Sequence, residues 1–273
     1  MVKLKKTTAF VAAATGATML TAVAASAVTL NITITNNSAP GGVTLTPLYT
    51  AFHDGSFDAF TVGETASPGL ELLAEDGDAS GIAGERQMDH PNSQGDVILA
   101  PGGFAGAPVI EAGETASISI DVDGATNPFF TYLSMILPSN DQFIGNGDPM
   151  AHQLFDAGGN FLGPQTIEVT GLNVYDAGTE QNIGDGAPFQ GAFGGPAQDE
   201  GGTVQLGGGI DVFDGINLPD GNVLSAALSN YAGNGDFSIA SIQIEAVPVP
   251  AALPLMLGGF GLLGFAASRR KNA

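Results

Sequence analysis

Residues 28 to 35 read Val28-Thr29-Leu30-Asn31-Ile32-Thr33-Ile34-Thr35, a strict alternation of apolar and polar side chains that stops at the turn-forming Asn36-Asn37-Ser38. Successive side chains of a strand point to opposite faces, so this period predicts a β-strand with one face in a core and the other in water. Such a strand cannot bury its apolar face alone and requires an opposing layer. Comparable stretches lie at 116–122, 129–137, 165–175, 202–206 and 238–246, separated by clusters of Gly, Asn, Asp and Pro. Leu154-Phe155-Asp156 and Asn160-Phe161-Leu162 flank Ala157-Gly158-Gly159, the pattern of a tight hairpin. Helical periodicity is convincing only over 69–74, where Ser67-Pro68 supplies a cap and first-turn pair. The pattern therefore predicts an all-β fold, an antiparallel β-sandwich of about eight strands and Greek-key type. Residues 181–202 and 207–236, rich in Gly and poor in periodicity, are expected to be long loops of that same domain.

Both ends of the chain differ from this middle. Lys3, Lys5 and Lys6 precede a small apolar stretch, Ala9 to Ala25, and then Ala25-Ser26-Ala27. That order describes a secretory signal peptide over residues 1–27, cut after Ala27. At the other end, residues 247–273 run from Val247-Pro248-Val249-Pro250-Ala251 through an apolar segment to Ala267, then Ser268-Arg269-Arg270-Lys271. The apolar segment is just long enough to cross a bilayer as a helix. A basic cluster held on the cytoplasmic side places the domain at 28–246 outside. Both ends predict export to the cell surface or beyond, with the chain transiently anchored in the inner membrane and touching it only through this C-terminal membrane-spanning helix.

Six of the seven basic residues lie in those two ends, leaving Arg86 alone against 28 acidic residues, or 27 net negative charges. A surface of that sign excludes nucleic acid and anionic lipid as partners, because both are bound through Lys and Arg. Self-repulsion on this scale needs counter-ions, supplied either by bound divalent cations or by a saline environment to which the whole surface is adapted. The chain has no cysteine, hence neither a disulfide framework nor a thiolate metal site.

Catalytic motifs are missing. His53, His90 and His152 share no metal-ligand spacing, and there is no Gly-x-Ser-x-Gly elbow. His53 beside Asp54 reads as a structural residue at a strand end. A pair of carboxylates for glycosidic cleavage is defined by distance in space rather than by spacing in sequence. An exported polysaccharide-processing enzyme, hydrolase or lyase, thus stands as the alternative to a non-enzymatic binding module.

Several blocks resemble one family. Leu48-Tyr49-Thr50-Ala51-Phe52-His53, Phe57-Asp58-Ala59-Phe60-Thr61-Val62-Gly63-Glu64, Ala66-Ser67-Pro68-Gly69-Leu70 and Leu73-Ala74-Glu75-Asp76-Gly77-Asp78 are similar to the opening blocks of bacterial spondin N-terminal domains. Ser134-Met135-Ile136-Leu137-Pro138-Ser139-Asn140-Asp141-Gln142-Phe143-Ile144-Gly145 and Tyr175-Asp176-Ala177-Gly178-Thr179-Glu180 resemble two later blocks of that family in the same order. The resemblance implies an eight-stranded β-sandwich like calcium-dependent lipid-binding domains, an adhesion role in extracellular matrix, and one bound Ca²⁺. Carried over by position, the calcium-ligating acids are Asp141, Asp176 and Glu180. Animal members carry cysteines and a Trp after the first of these acids; Gln142 stands there instead, so animal partners such as integrins are not implied.

Calcium takes six to eight oxygen ligands at about 2.3–2.6 Å. Asp176 and Glu180 sit four apart across Gly178, which can adopt the positive φ that folds the turn back. By spacing alone, three acids in a chain holding 28 also read as solvated surface. The Glu75-Asp76-Gly77-Asp78 cluster lacks the later acid of a calcium loop and is expected to be a solvated turn. The tail at 247–273 resembles PEP-CTERM sorting signals of the Val-Pro-x-Pro-Ala variant, which implies cleavage by an exosortase-type membrane protease and a link to extracellular polysaccharide or biofilm matrix.

Overall fold

The computed structural model describes residues 27–100, 109–186, 188, 196–218 and 220–248. In chain order these form β1 (Val28–Asn36), β2 (Thr44–Leu45), β3 (Leu48–His53), α1 (Pro68–Asp76), α2 (Ser80–Asp89), β4 (Gln94–Ile98) and β5 (Thr115–Val122). There follow β6 (Phe129–Leu137), β7 (Gln142–Gly145), β8 (Gln165–Thr170), β9 (Val174–Asp176), β10 (Gln205–Leu206), α3 (Ala226–Ser229) and β11 (Ser238–Ala246).

The alternating strand β1 lies inside a four-stranded sheet of order β5-β1-β11-β8. Its register sets Ile32 opposite Ile118 and Ile244, and Thr33 opposite Ser117 and Gln243. Leu30, Ile32 and Ile34 are therefore buried on one face with the isoleucines of β11, while Thr29, Asn31, Thr33 and Thr35 form the outer face. A slip of one residue would exchange those faces, so burial of the isoleucines specifies the register.

The second sheet has seven strands, ordered β10-β9-β7-β6-β3-β4 with β2 paired to β6. Its central strands are buried on both sides, which is why Phe129–Leu137 reads as a nearly continuous apolar run. Phe52, Phe130, Tyr132, Ile144 and Val174 face the four-stranded sheet in the main core. Tyr49, Ala51, Leu133, Phe143 and Tyr175 face the other way, against Leu70, Leu73 and Ala74 of α1 and Ile82 of α2. The molecule thus has three layers: four-stranded sheet, seven-stranded sheet and a helix pair. Strand pairing is antiparallel throughout, and neither sheet closes into a barrel among the described residues.

This corrects the expected two-layer, eight-stranded arrangement in three places. Helix α1 forms as the sequence predicts, with Ser67 Oγ accepting from Leu70 N at 3.1 Å and Gly77 at φ +67° closing its end. Helix α2 has little helical periodicity to reveal it, because only Ile82 and Arg86 on it are buried. Glycines of both helices make the pair possible instead: a Cβ on Gly69 of α1 would lie 2.6 Å from Ile82 N, and one on Gly81 of α2 would lie 2.8 Å from Gly69 Cα. The stretch 165–175 is also two strands rather than one. A 3-10 turn at Gly171–Asn173, capped by Asn173 Oδ1 accepting from Thr170 N at 3.0 Å, carries the chain from one sheet to the other. Finally, 207–236 is the long, largely irregular segment expected, but it does not stay at the surface. It places Ile210, Phe213, Ile216, Leu218, Leu224 and Tyr231 in the main core. The hairpin signal is realised as a bridge between Phe155 and Phe161, with Gly159 at φ +77°.

Strand β1 begins at Val28 and β11 ends at Ala246. The expected signal peptide and sorting tail lie outside the described residues, except for Ala27, Val247 and Pro248. No described helix is long and apolar enough to cross a membrane.

Candidate functional site

Strands β7 and β9 pair so that Gln142 lies opposite Asp176, which brings the residue before β7, Asp141, beside the last residue of β9. Ala177 N donates to Asp141 O at 3.1 Å and continues that pairing one step beyond the strand. The chain then turns at Gly178, whose φ is +69°. A Cβ there would lie 2.6 Å from both the amide N and the carbonyl O of Thr203, so the turn has room for glycine only. With the turn made, Thr179 N and Glu180 N both donate to Asp141 Oδ2, at 2.9 and 3.1 Å. Gly178 N donates to Asp176 Oδ1 at 2.9 Å.

The remaining oxygens of the two aspartates share one donor. Asn182 Nδ2 lies 2.7 Å from Asp141 Oδ1 and 3.2 Å from Asp176 Oδ2. Asn182 is held in turn by Asn140 N, which donates to its Oδ1 at 2.8 Å. Asp141 and Asn140 are completely buried and Asp176 nearly so. Burial, and then the charge of Asp141, push the Asp176 carboxyl up to about 6, against the pull of the Gly178 N–H.

Glu180 stands slightly apart. Its Oε2 accepts from Asn140 Nδ2 at 3.4 Å, and burial raises its pKa. Among the described residues no three His, Asp or Glu side chains lie close enough together to form a metal-holding group. The fold thus unites Asp141 with Asp176 and leaves Glu180 at their edge. The acceptors gathered here are all oxygen, the atom type a hard cation takes. Two buried carboxylates meet, and Asn140 Oδ1, also buried, has no hydrogen-bond partner.

Three neighbours of the site were not legible as such. Asn140 and Asn182 are uncharged, and only the folded turn sets them between acids. Glu75 belongs to the cluster expected to be a solvated turn, yet it is half-buried at the end of α1. Desolvation first, then Glu180, Glu71 and Asp141, raise its carboxyl to about 7. Glu71, Glu75, Thr179 and Asp199 line a common cavity of about 260 Å³. Asp78, from the same cluster, accepts from Ser80 N at 2.8 Å just ahead of α2.

Among the described residues no Lys or Arg side chain offsets this charge. Arg86, the one Arg or Lys between residues 28 and 246, is buried elsewhere, donating to Tyr49 Oη at 2.8 Å and Ser93 Oγ at 2.6 Å. His53 is also buried, with Nε2 3.0 Å from Thr131 Oγ1 and Nδ1 accepting from Gly55 N; burial lowers its pKa to about 4 and keeps it neutral. Ser56 Oγ lies 3.0 Å from His90 Nδ1, but the adjacent Asp54 carboxylate bonds Ser56 rather than the imidazole.

Residues 38–191, more than half of the chain, match the family model described as Spondin_N. No curated protein matches the chain.

Proposed function

The chain belongs to the spondin N-terminal domain family, and from that premise we propose that it is an exported, surface- or matrix-associated adhesion module that binds one Ca²⁺ and catalyses no reaction. The observation that carries the calcium reading is the Asp141–Asp176 pair: two adjoining buried carboxylates with no Lys or Arg beside them among the described residues, bridged by a single side-chain amide. Asp141 Oδ1, Asp176 Oδ2 and the unpartnered Asn140 Oδ1 would hold the ion, with Glu180 as the acid nearest to joining them. A bound Ca²⁺ would supply the positive charge that the acids lack and fix the turns after β6 and β9. The partner in this reading is an extracellular polysaccharide or another surface component of the matrix. The sorting tail would be processed by an exosortase-type protease after transient anchoring in the inner membrane. The non-enzymatic reading is favoured by the Ser56–His90 contact, in which Asp54 engages the serine and leaves the imidazole unoriented.

The test is a calorimetric titration of the 28–246 domain with CaCl₂ in high NaCl, beside Asp176→Asn and Asp236→Asn. Asp236 is exposed and remote from the site in sequence, so it reports non-specific screening. One saturable site in the parent and in Asp236→Asn, lost in Asp176→Asn, is the expected result. Equal heats in all three would sink the assignment.

A further inference from the structure

We infer that Asn182 is a built-in stand-in for the cation, and that the turn at 181–186 is the element that reports whether the site is filled; this rests on the calcium reading above. The Asn182 amide nitrogen contacts one oxygen of each aspartate, at 2.7 and 3.2 Å. Its orientation is set by its partners. Turning the amide over would place Oδ1 against two carboxylates and Nδ2 against the Asn140 N–H, which already donates to Oδ1 at 2.8 Å. In this arrangement the amide contributes the partial positive charge that two adjoining buried acids require.

A calcium ion bridging Asp141 Oδ1 and Asp176 Oδ2 at about 2.3–2.6 Å would take the place between them where Asn182 Nδ2 sits, 2.7 and 3.2 Å from the same two oxygens, and N–H donors cannot point at a cation. Asn182 must therefore leave both carboxylates for the site to fill. Among the described residues the other hydrogen bonds of its turn include Gln181 N donating to Gln198 O at 2.9 Å, Ile183 N to Gln181 O at 3.0 Å, and Asn140 Nδ2 to Asp185 O at 2.9 Å. Gly184 and Gly186, at φ +85° and +73°, shape the rest of it. Release of Asn182 removes the tie at the centre of this turn, and the half-exposed Ile183 beside it moves too. Affinity is lowered by the two hydrogen bonds that must break, and occupancy is converted into a change at the surface.

The experiment compares the 28–246 domain with its Asn182→Ala and Asn182→Asp variants, in EDTA and in saturating CaCl₂, by thermal unfolding and calorimetric titration. Hydrogen exchange of the 181–186 segment is followed in the parent. Asn182→Ala is expected to melt lower than the parent in EDTA but level with it in CaCl₂, and to bind calcium about tenfold more tightly because no amide has to be displaced. Asn182→Asp, which replaces the donor with a third carboxylate, should show a larger deficit in EDTA that calcium also removes. Exchange at 181–186 should quicken when calcium is added. An equal deficit in both conditions, or weaker calcium binding by Asn182→Ala, overturns the stand-in role while leaving the site in place. Failure of the parent to bind calcium at all would instead remove the calcium reading, and this inference with it.

Discussion

Asp176 gives the sharpest test of the site's electrostatics. Its carboxyl is raised from 3.8 to about 6 by burial and by Asp141, so the folded protein holds this proton more tightly than the unfolded chain. For an acid shifted upward, the native state binds more protons between the two values, and stability falls as pH rises through that window. At pH 4 the penalty is nearly absent; at pH 7 it is complete. A rise from 3.8 to about 6 corresponds to about 3 kcal/mol, or a loss of about 6–12 °C in melting temperature for a domain of this size. Asp176→Asn removes the penalty but leaves an amide facing the amide of Asn182, which gives back about 1 kcal/mol through a lost hydrogen bond. In EDTA the variant should therefore be more stable than the parent at pH 7 by about 2 kcal/mol and less stable at pH 4. The curves should cross between those limits. The assay is urea unfolding at a series of pH values in high NaCl, where general repulsion among the remaining acids affects both proteins alike. Parallel curves with no crossing would refute the reasoning. Adding calcium should invert the comparison at pH 7, because only the parent then gains the ion.

Gly178→Ala should destabilise the domain by more than about 1 kcal/mol, since it combines a positive φ with a backbone clash at Thr203; an unchanged urea midpoint would contradict that. Amino-terminal sequencing of exported protein should begin at Val28, and its intact mass should lack Phe260 and Arg270. Retention of Met1 would remove the export argument, and retention of the tail would remove sorting by cleavage.

What the sequence by itself determined is mostly local. The alternation of Val28–Thr35 specified a half-buried strand, because side-chain direction in a strand depends on position alone. Ser67-Pro68 and Gly77 set the limits of α1 through their own backbone groups, and Gly178 set the turn after β9 through its permitted φ. The charge imbalance likewise follows from composition. The tertiary structure decided whatever depends on partners distant in the chain. Helix α2 hides in a glycine-bearing stretch because its stabilising contact is the close approach to Gly69, which no periodicity records. The irregular 207–236 segment reaches the core through apolar residues at no fixed spacing. Its Tyr231 donates to Gln142 Oε1 at 2.8 Å, a contact spanning 89 positions of sequence. Asp141 and Asp176 were legible as acids at turns, but the burial that makes them costly, and the Asn182 amide that bridges them, exist only once β7 has paired with β9. Charge depends on residue type, whereas desolvation depends on everything packed around it, and the site's chemistry arises from desolvation.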